Sequence, residues 1–163
     1  MTIAEVNRLN AADFIQAFGW VFEDSPWVAE RGWCYRPFAD VEELHRALVD
    51  VVEHATRKEQ LALIRAHPDL GTRARISAAS SEEQTGAGLD RLTPAEFELF
   101  TRLNHEYREK FGFPFLFAVR GSGKYDVLRA LEQRLESAMD AEFREALRQV
   151  YRIAEFRLRD TVT

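Results

Sequence analysis

One stretch, residues 40–55, narrows the choice of fold more than any other. Asp40 precedes a run in which Leu44, Ala47, Leu48, Val51, Val52 and Ala55 fall on one helical stripe, while Glu42, Glu43, Arg46 and Asp50 lie mostly off it. Apolar residues at three- and four-residue steps commit the chain to a helix with one buried face, and that face needs other elements to cover it. The flanking sequence supplies them. Asn10 can cap a helix from Ala11 whose apolar face includes Phe14, Ile15, Phe18 and Val21 or Phe22. Ser25 before Pro26 predicts a short second helix over Trp27 to Trp33, with proline in its first turn. Lys58 to Arg65 reads as another short helix that must end at Pro68, because the residue before a proline disfavours the helical region. His67 is thereby placed at a helix end.

Residues 68–90 are polar and small, with Gly71, Gly86 and Gly88, and predict a loop, a short helix near Glu82 to Thr85 and a turn. Thr93-Pro94-Ala95-Glu96 combines an N-cap, a first-turn proline and a capping-box glutamate. The helix it opens carries Phe97, Phe100, Asn104, Tyr107 and Phe111 on one side and stops at Gly112. Phe113 to Val119 is apolar without helical spacing and predicts extended chain, though no partner strand is evident. Leu128, Leu131, Leu135 and Ala138 mark a next helix, and Asp140 can cap a last one carrying Phe143, Leu147, Val150 and Ala154. Six or more helices and no convincing strand predict an all-α, single-domain, irregular bundle over residues 1–163.

Composition agrees and removes several classes of function. At 163 residues, 46% of them apolar, the chain can bury one well-formed core. The formal charge of -5, with no run of basic residues interleaved with aromatics, argues against nucleic acid as a partner. Cys34 is the only cysteine, which rules out an intrachain disulfide and fits a reducing compartment. The opening MTIAEVNRLNAADF has neither a basic leader nor a continuous apolar stretch, and no segment approaches the roughly 20 apolar residues of a spanning helix. No membrane association is therefore expected, and the cytoplasm is the default location.

Three clusters hold polar residues in unusually apolar or glycine-rich surroundings: His67-Pro68-Asp69-Leu70-Gly71; Ser80-Ser81-Glu82-Glu83-Gln84 with Ala87-Gly88-Leu89; and Lys110-Phe111-Gly112-Phe113-Pro114-Phe115 leading to Arg120. Histidine as a side chain titrates near neutrality, which makes His67 a candidate acid–base group; a histidine complementing a helix dipole is the plainer alternative. Glu83 could reach a pocket or merely cap a helix, and Glu82 beside it reads as the solvated one of the pair, although the residues alone do not separate them. Arg120 leaves a packed apolar segment with a fork suited to a carboxylate or ring carbonyl, the alternative being a structural ion pair. No GxSxG elbow, HExxH pair, Cys-His spacing or Walker lysine is present, so serine nucleophily, zinc and nucleotide-phosphate binding are not indicated. A helical interaction module and a metal-free hydrolase stand as rival readings.

These clusters, with Glu23-Asp24-Ser25-Pro26-Trp27 near the start, resemble the OHCU decarboxylase family. The strings His67-Pro68-Asp69-Leu70-Gly71, Ser80-x-x-Glu83-Gln84 with Ala87-Gly88-Leu89, and Leu103-Asn104-x-x-Tyr107-x-x-Lys110-Phe111-Gly112-Phe113-Pro114-Phe115 occur in the family's order and approximate spacing. The resemblance implies an all-α homodimer with no cofactor and no metal. Its reaction would be decarboxylation of the small molecule 2-oxo-4-hydroxy-4-carboxy-5-ureidoimidazoline to (S)-allantoin during urate degradation. It further implies His67 as the acid–base residue, Glu83 and Arg120 as its catalytic companions, and Pro68, Ser80, Gln84 and the backbone of Phe117, Ala118 and Val119 as substrate contacts. The chain departs from the family in reading Phe117-Ala118-Val119-Arg120 where Cys-Ala-Arg is common, and in having Asp24 where histidine is common.

Overall fold

Short polar side chains decide where most of the helices begin. A computed structural model describes residues 1–71 and 91–163, and they form eight α-helices, with no strand among the described residues. These are α1 (Ile3–Arg8), α2 (Ala11–Phe18), α3 (Trp27–Gly32, followed by a 3-10 turn, Trp33–Tyr35), α4 (Val41–Glu53), α5 (Arg57–Ala66), α6 (Pro94–Phe111), α7 (Lys124–Leu135) and α8 (Met139–Thr161). Asn10 accepts from the Asp13 N–H at 2.9 Å and Asp40 from the Glu43 N–H at 2.8 Å, as their positions in the sequence predict. Thr93 and Glu96 exchange reciprocal hydrogen bonds of 3.1 and 3.0 Å around Pro94. Each of these satisfies backbone donors that a helix start otherwise leaves unpaired.

Several boundaries differ from the sequence reading for local reasons. Helix α1 is an addition, opened by a capping box between Thr2 and Glu5. Helix α2 stops at Phe18, so Val21 and Phe22 are core residues on a non-helical turn and not part of its face. The hydroxyl of Ser25 donates to the Glu23 carbonyl at 2.8 Å, which leaves Pro26 in the capping position of α3. Helix α7 ends at Leu135, with Ala138 exposed beyond it. Asp140 lies inside the first turn of α8, where its charge suits the dipole, and the Ala138 carbonyl accepts from the Glu142 N–H.

By contact the chain divides into two compact units, one of residues 1–66 and 150–163, the other of residues 67–149. In the first, Phe14 packs on Phe18 at 4.9 Å and on Phe38 at 6.3 Å, over a core that includes Val6, Leu44, Leu48, Leu63 and Leu158. Asn7 clamps the Phe38 backbone, donating to its carbonyl and accepting from its N–H, both at 2.8 Å. Helix α5 starts at a box in which Glu59 accepts from the Thr56 N–H, and Arg31 donates to the other oxygen of Glu59 at 2.5 Å. In the second unit α6 packs on α7, and the Tyr107 ring meets Phe111, Phe113 and Phe115 at 4.7, 6.0 and 5.3 Å. Buried aromatic pairs of this kind add roughly 0.5–1.5 kcal/mol beyond the area they bury. Among the described residues no helix is long and apolar enough to cross a membrane.

Gly112 closes α6 in the left-handed region at φ 75°. Alanine there is expected to lose about 1–2 kcal/mol and asparagine, which tolerates this region, less; urea midpoints of the two variants check the order. The Arg31 hydrogen bond, with the Thr56 backbone, holds the Glu59 carboxyl at about 2, against an ordinary 4.5. Because the folded value is the lower one, the stabilisation is complete above pH 4.5 and fades as the pH falls towards 2. A carboxyl-carbon NMR titration should place Glu59 near 2 and show it moving up in Arg31→Ala.

Candidate active site

His67 is the first residue after α5 and is buried, with 5% of its surface exposed. Pro68 ends the helix and is exposed, while Asp69, at 9%, turns back into the protein. The Asp69 carboxylate accepts from the Gly71 N–H at 2.7 Å and from the Asn104 side-chain amide at 3.0 Å through one oxygen, and from the Arg108 guanidinium through the other. It thereby fastens the backbone that follows His67 to α6. Gly71 is required by the same contact, since a Cβ there would lie 2.6 Å from Asn104 Nδ2 and 3.1 Å from Asp69 Oδ1. The order His-Pro-Asp-Leu-Gly thus has a physical reading: proline ends a helix, aspartate ties the chain down, and glycine leaves room for the tie. Beside it lies a cavity of about 400 Å³ lined by Asp69, Gly71, Asn104, His105 and Arg108 among others.

The second stretch, Phe113 to Val119, takes no regular secondary structure, and most of it is buried. Its backbone groups must find partners elsewhere. The Leu116 carbonyl accepts from Arg134 at 2.5 Å. Arg134 also donates through Nε to Glu142 at 2.7 Å, and Glu142 accepts from the Tyr107 hydroxyl as well. Arg134, Glu142 and Tyr107 are 9%, 1% and 0% exposed, so this is a charged pair held out of water with its donors matched to acceptors. Burial pushes the Tyr107 hydroxyl well above its ordinary pKa, with Glu142 adding to the rise and Arg134 opposing it, and it stays a protonated donor. The Arg134 guanidinium lies 4.6 Å over the Phe115 ring.

Of the residues singled out in the sequence, His67, Pro68, Phe117, Ala118, Val119 and Arg120 all fall in the unit of residues 67–149. Ala118 is buried, Phe117 and Val119 are half-buried, and Arg120 is exposed at the turn that follows. Ser80, Glu83 and Gln84, with the short helix expected near Glu82 to Thr85, lie outside the described residues. The sequence placed Asp69 in the first cluster without a role of its own and gave no sign of Arg108, Arg134 and Glu142. Asn104 carried a usable signal, because a polar residue on a face otherwise made of Phe100, Tyr107 and Phe111 must have a buried partner. Glu142 and Arg134 carried none, since helical glutamates and arginines abound in this chain.

Asp69→Ala would leave the Asn104 amide and the Gly71 N–H without their acceptor, whereas Arg108, with 54% of its side chain exposed, can turn to water. Buried orphaned donors cost about 1–3 kcal/mol each, so a loss of roughly 2–4 kcal/mol is expected in urea unfolding. Gly71→Ala acts on the same clamp, and the double variant should be little worse than Asp69→Ala alone; full additivity would show two separate effects.

Residues 7–159 match the family model described as OHCU decarboxylase. The chain is 48% identical over 158 residues to the 2-oxo-4-hydroxy-4-carboxy-5-ureidoimidazoline decarboxylase of Haloferax volcanii, a match covering 97% of this chain and 94% of that protein. It is 44% identical to the uric acid degradation bifunctional protein PucL of Bacillus subtilis over 99% of its own length, spanning 33% of that longer protein. Among solved structures, that of (S)-allantoin synthase superposes with a TM-score of 0.82 at 31% identity, covering 99% of this chain and 54% of that one. With a match that runs almost from end to end and includes the braced His67 and Phe113 stretches, this chain belongs to the OHCU decarboxylase family.

Proposed function

We propose that this protein decarboxylates 2-oxo-4-hydroxy-4-carboxy-5-ureidoimidazoline to (S)-allantoin in urate breakdown, with no cofactor. One observation carries the reading, the near full-length similarity to a Haloferax volcanii protein named for that reaction, at 48% identity. The chemistry suits side chains alone. The carboxylated carbon adjoins a ring carbon bearing an imine, so the electron pair left when carbon dioxide departs can pass into that conjugated system. No separate electron sink is then needed. The carbon that loses carbon dioxide keeps its hydroxyl, which becomes a carbonyl as the neighbouring carbon takes up a proton.

His67 moves that proton, either drawing it from the hydroxyl or supplying it to the neighbouring carbon, and delivery from one face accounts for a single enantiomer. Arg120 and the backbone of Phe117, Ala118 and Val119 orient the ring and meet the charge developing on it. Glu83, with Ser80 and Gln84, holds the ureido and hydroxyl groups, and Pro68 shapes the pocket. Burial of His67 and the bracing of its motif by Asp69 support this division of labour, because a proton-transfer group works best when its position is fixed. The family resemblance extends the proposal to a homodimer, which sedimentation would read directly.

The test generates the substrate in place from urate with the two preceding enzymes, then follows carbon dioxide release and the handedness of allantoin by circular dichroism. His67→Asn is expected to lower turnover by about 10²–10⁴-fold while leaving the fold intact. Glu83→Gln should be far more damaging than Glu82→Gln. Exhaustive chelation should leave the rate unchanged. Full activity of His67→Asn, or hydrolysis without carbon dioxide release, would refute the reading.

A further inference from the structure

Phe117 to Val119, placed against the substrate above, belong to extended chain. The rings of Phe115 and Phe117 stack at 6.3 Å with 15° between their planes, which is the two-residue repeat of an extended backbone. In such a chain the polar backbone groups of residues two apart face the same edge. Leu116 and Ala118 are such a pair, and both are held. Arg134 donates to the Leu116 carbonyl, and the Ala118 N–H donates to Gln149 Oε1 at 2.9 Å. Two side chains, from α7 and α8, therefore pin one edge, and the N–H groups of Phe117 and Val119 face the opposite one.

Gln149 is itself oriented. It is 7% exposed, and its Nε2 donates to Glu145 Oε1 at 2.8 Å, while Arg148 donates to Glu145 Oε2 at 2.7 Å. A backbone N–H can only donate and a carboxylate can only accept, so the amide has one arrangement that satisfies both neighbours. Burial pushes the Glu145 carboxyl up, but the Gln149 and Arg148 donors outweigh it and hold it below its usual range, so it remains an acceptor at neutral pH. A cavity of about 400 Å³ borders Phe117, Arg134, Glu145 and Gln149 on this side, which gives the segment room to shift once nothing holds it.

We propose that Gln149, oriented by Glu145, is a positioning residue of the reaction: it fixes the pinned edge of residues 116–118 so that the other edge is presented to the substrate. This rests on the reading that the Phe117 to Val119 backbone binds substrate. Gln149 acts through the Ala118 N–H and not on the reacting atoms.

Four variants of the full chain test it, by steady-state kinetics and by hydrogen exchange of the 116–119 amides. Gln149→Leu keeps the volume and removes the acceptor; KM is expected to rise about tenfold or more with a smaller change in kcat, and exchange to quicken in this segment alone. Gln149→Glu sets two carboxylates side by side and should do the same. Glu145→Gln should be milder. The double variant Gln149→Glu/Glu145→Gln reverses the chain of donors, since the carboxylate at position 149 can accept from both the Ala118 N–H and the amide at position 145, and it should return KM to within about threefold of wild type. A purely structural role would lower Tm without this rescue. Wild-type KM in Gln149→Leu, or a raised KM that the double variant does not restore, overturns the proposal while leaving the decarboxylase reading intact. If the wild-type protein releases no carbon dioxide, the decarboxylase reading has failed. Exchange rates then decide whether Gln149 holds the segment: quickening in Gln149→Leu and restoration in the double variant support it, and unchanged exchange overturns it.

Discussion

The Arg134–Glu142 pair is the contact on which the unit of residues 67–149 depends. One guanidinium reaches α8 through Glu142, the irregular segment through the Leu116 carbonyl, and the aromatic cluster through the Phe115 ring, while itself belonging to α7. Tyr107 brings in α6 by donating to the same carboxylate. Taking two such charges out of water costs several kcal/mol, and their attraction offsets this only if each polar atom is matched. Here the matching is done by groups that need partners for their own reasons: a buried phenol and a backbone carbonyl without a strand to pair with. An apolar replacement could equal the pair in stability, but it could not fix the height of the Leu116 carbonyl. The pair contributes position more than stability.

The same solution recurs in two buried, irregular stretches among the described residues. The turn after His67 is tied by Asp69 to Asn104 and Arg108 of α6; Leu116 and Ala118 are tied by Arg134 of α7 and Gln149 of α8. Segments of this kind lack the ladders by which helices and sheets satisfy their own backbone, so buried polar side chains on neighbouring helices must do it. Each tie is directional, because a carbonyl calls for a donor and an N–H for an acceptor. Three helices with mostly apolar inner faces each carry one or two polar residues on that face, and those residues set the path of two of the three stretches assigned to substrate.

This division explains what could be read in the sequence. Caps and periodicity are local, so Asn10, Asp40, Thr93 with Pro94, and Gly112 mark helix ends where the structure has them. The box at Thr2 and Glu5 was equally local and simply overlooked. Boundaries fail where a side chain is used otherwise, as with Ser25, whose hydroxyl bonds back to Glu23 and not forward into α3. The all-α class follows from summing local signals and is found among the described residues. The ties between distant segments are another matter. Glu142 and Gln149 lie seven residues apart on one helix of a chain with 27 acidic residues, and nothing in their spacing tells a buried partner from a solvated one. What made the site partly legible was the motif strings, and the structure gives the reason for one of them, the glycine at position 71 that leaves room for Asn104.

A decarboxylation in which the substrate is its own electron sink makes particular demands on a protein. In the cofactor-free reaction proposed above, the rate depends on how closely the chain can hold a ring, a proton carrier and a charge-stabilising edge in register. Holding groups on loose segments would forfeit most of that advantage, because displacements of about 1 Å can cost a hundredfold. Placing them on helices would not serve either, since backbone N–H groups in a helix interior are already spent within it and cannot face a ligand. An extended segment pinned along one edge meets both needs: it offers the donors of its other edge and cannot drift. Packing supplies the stiffness that hydrogen bonds alone would not, with Phe113 and Phe115 seated against Tyr107 below the pinned residues. On this view the aromatic run before Arg120 is the foundation of a backbone binding edge, and its hydrophobicity and its chemistry are one property.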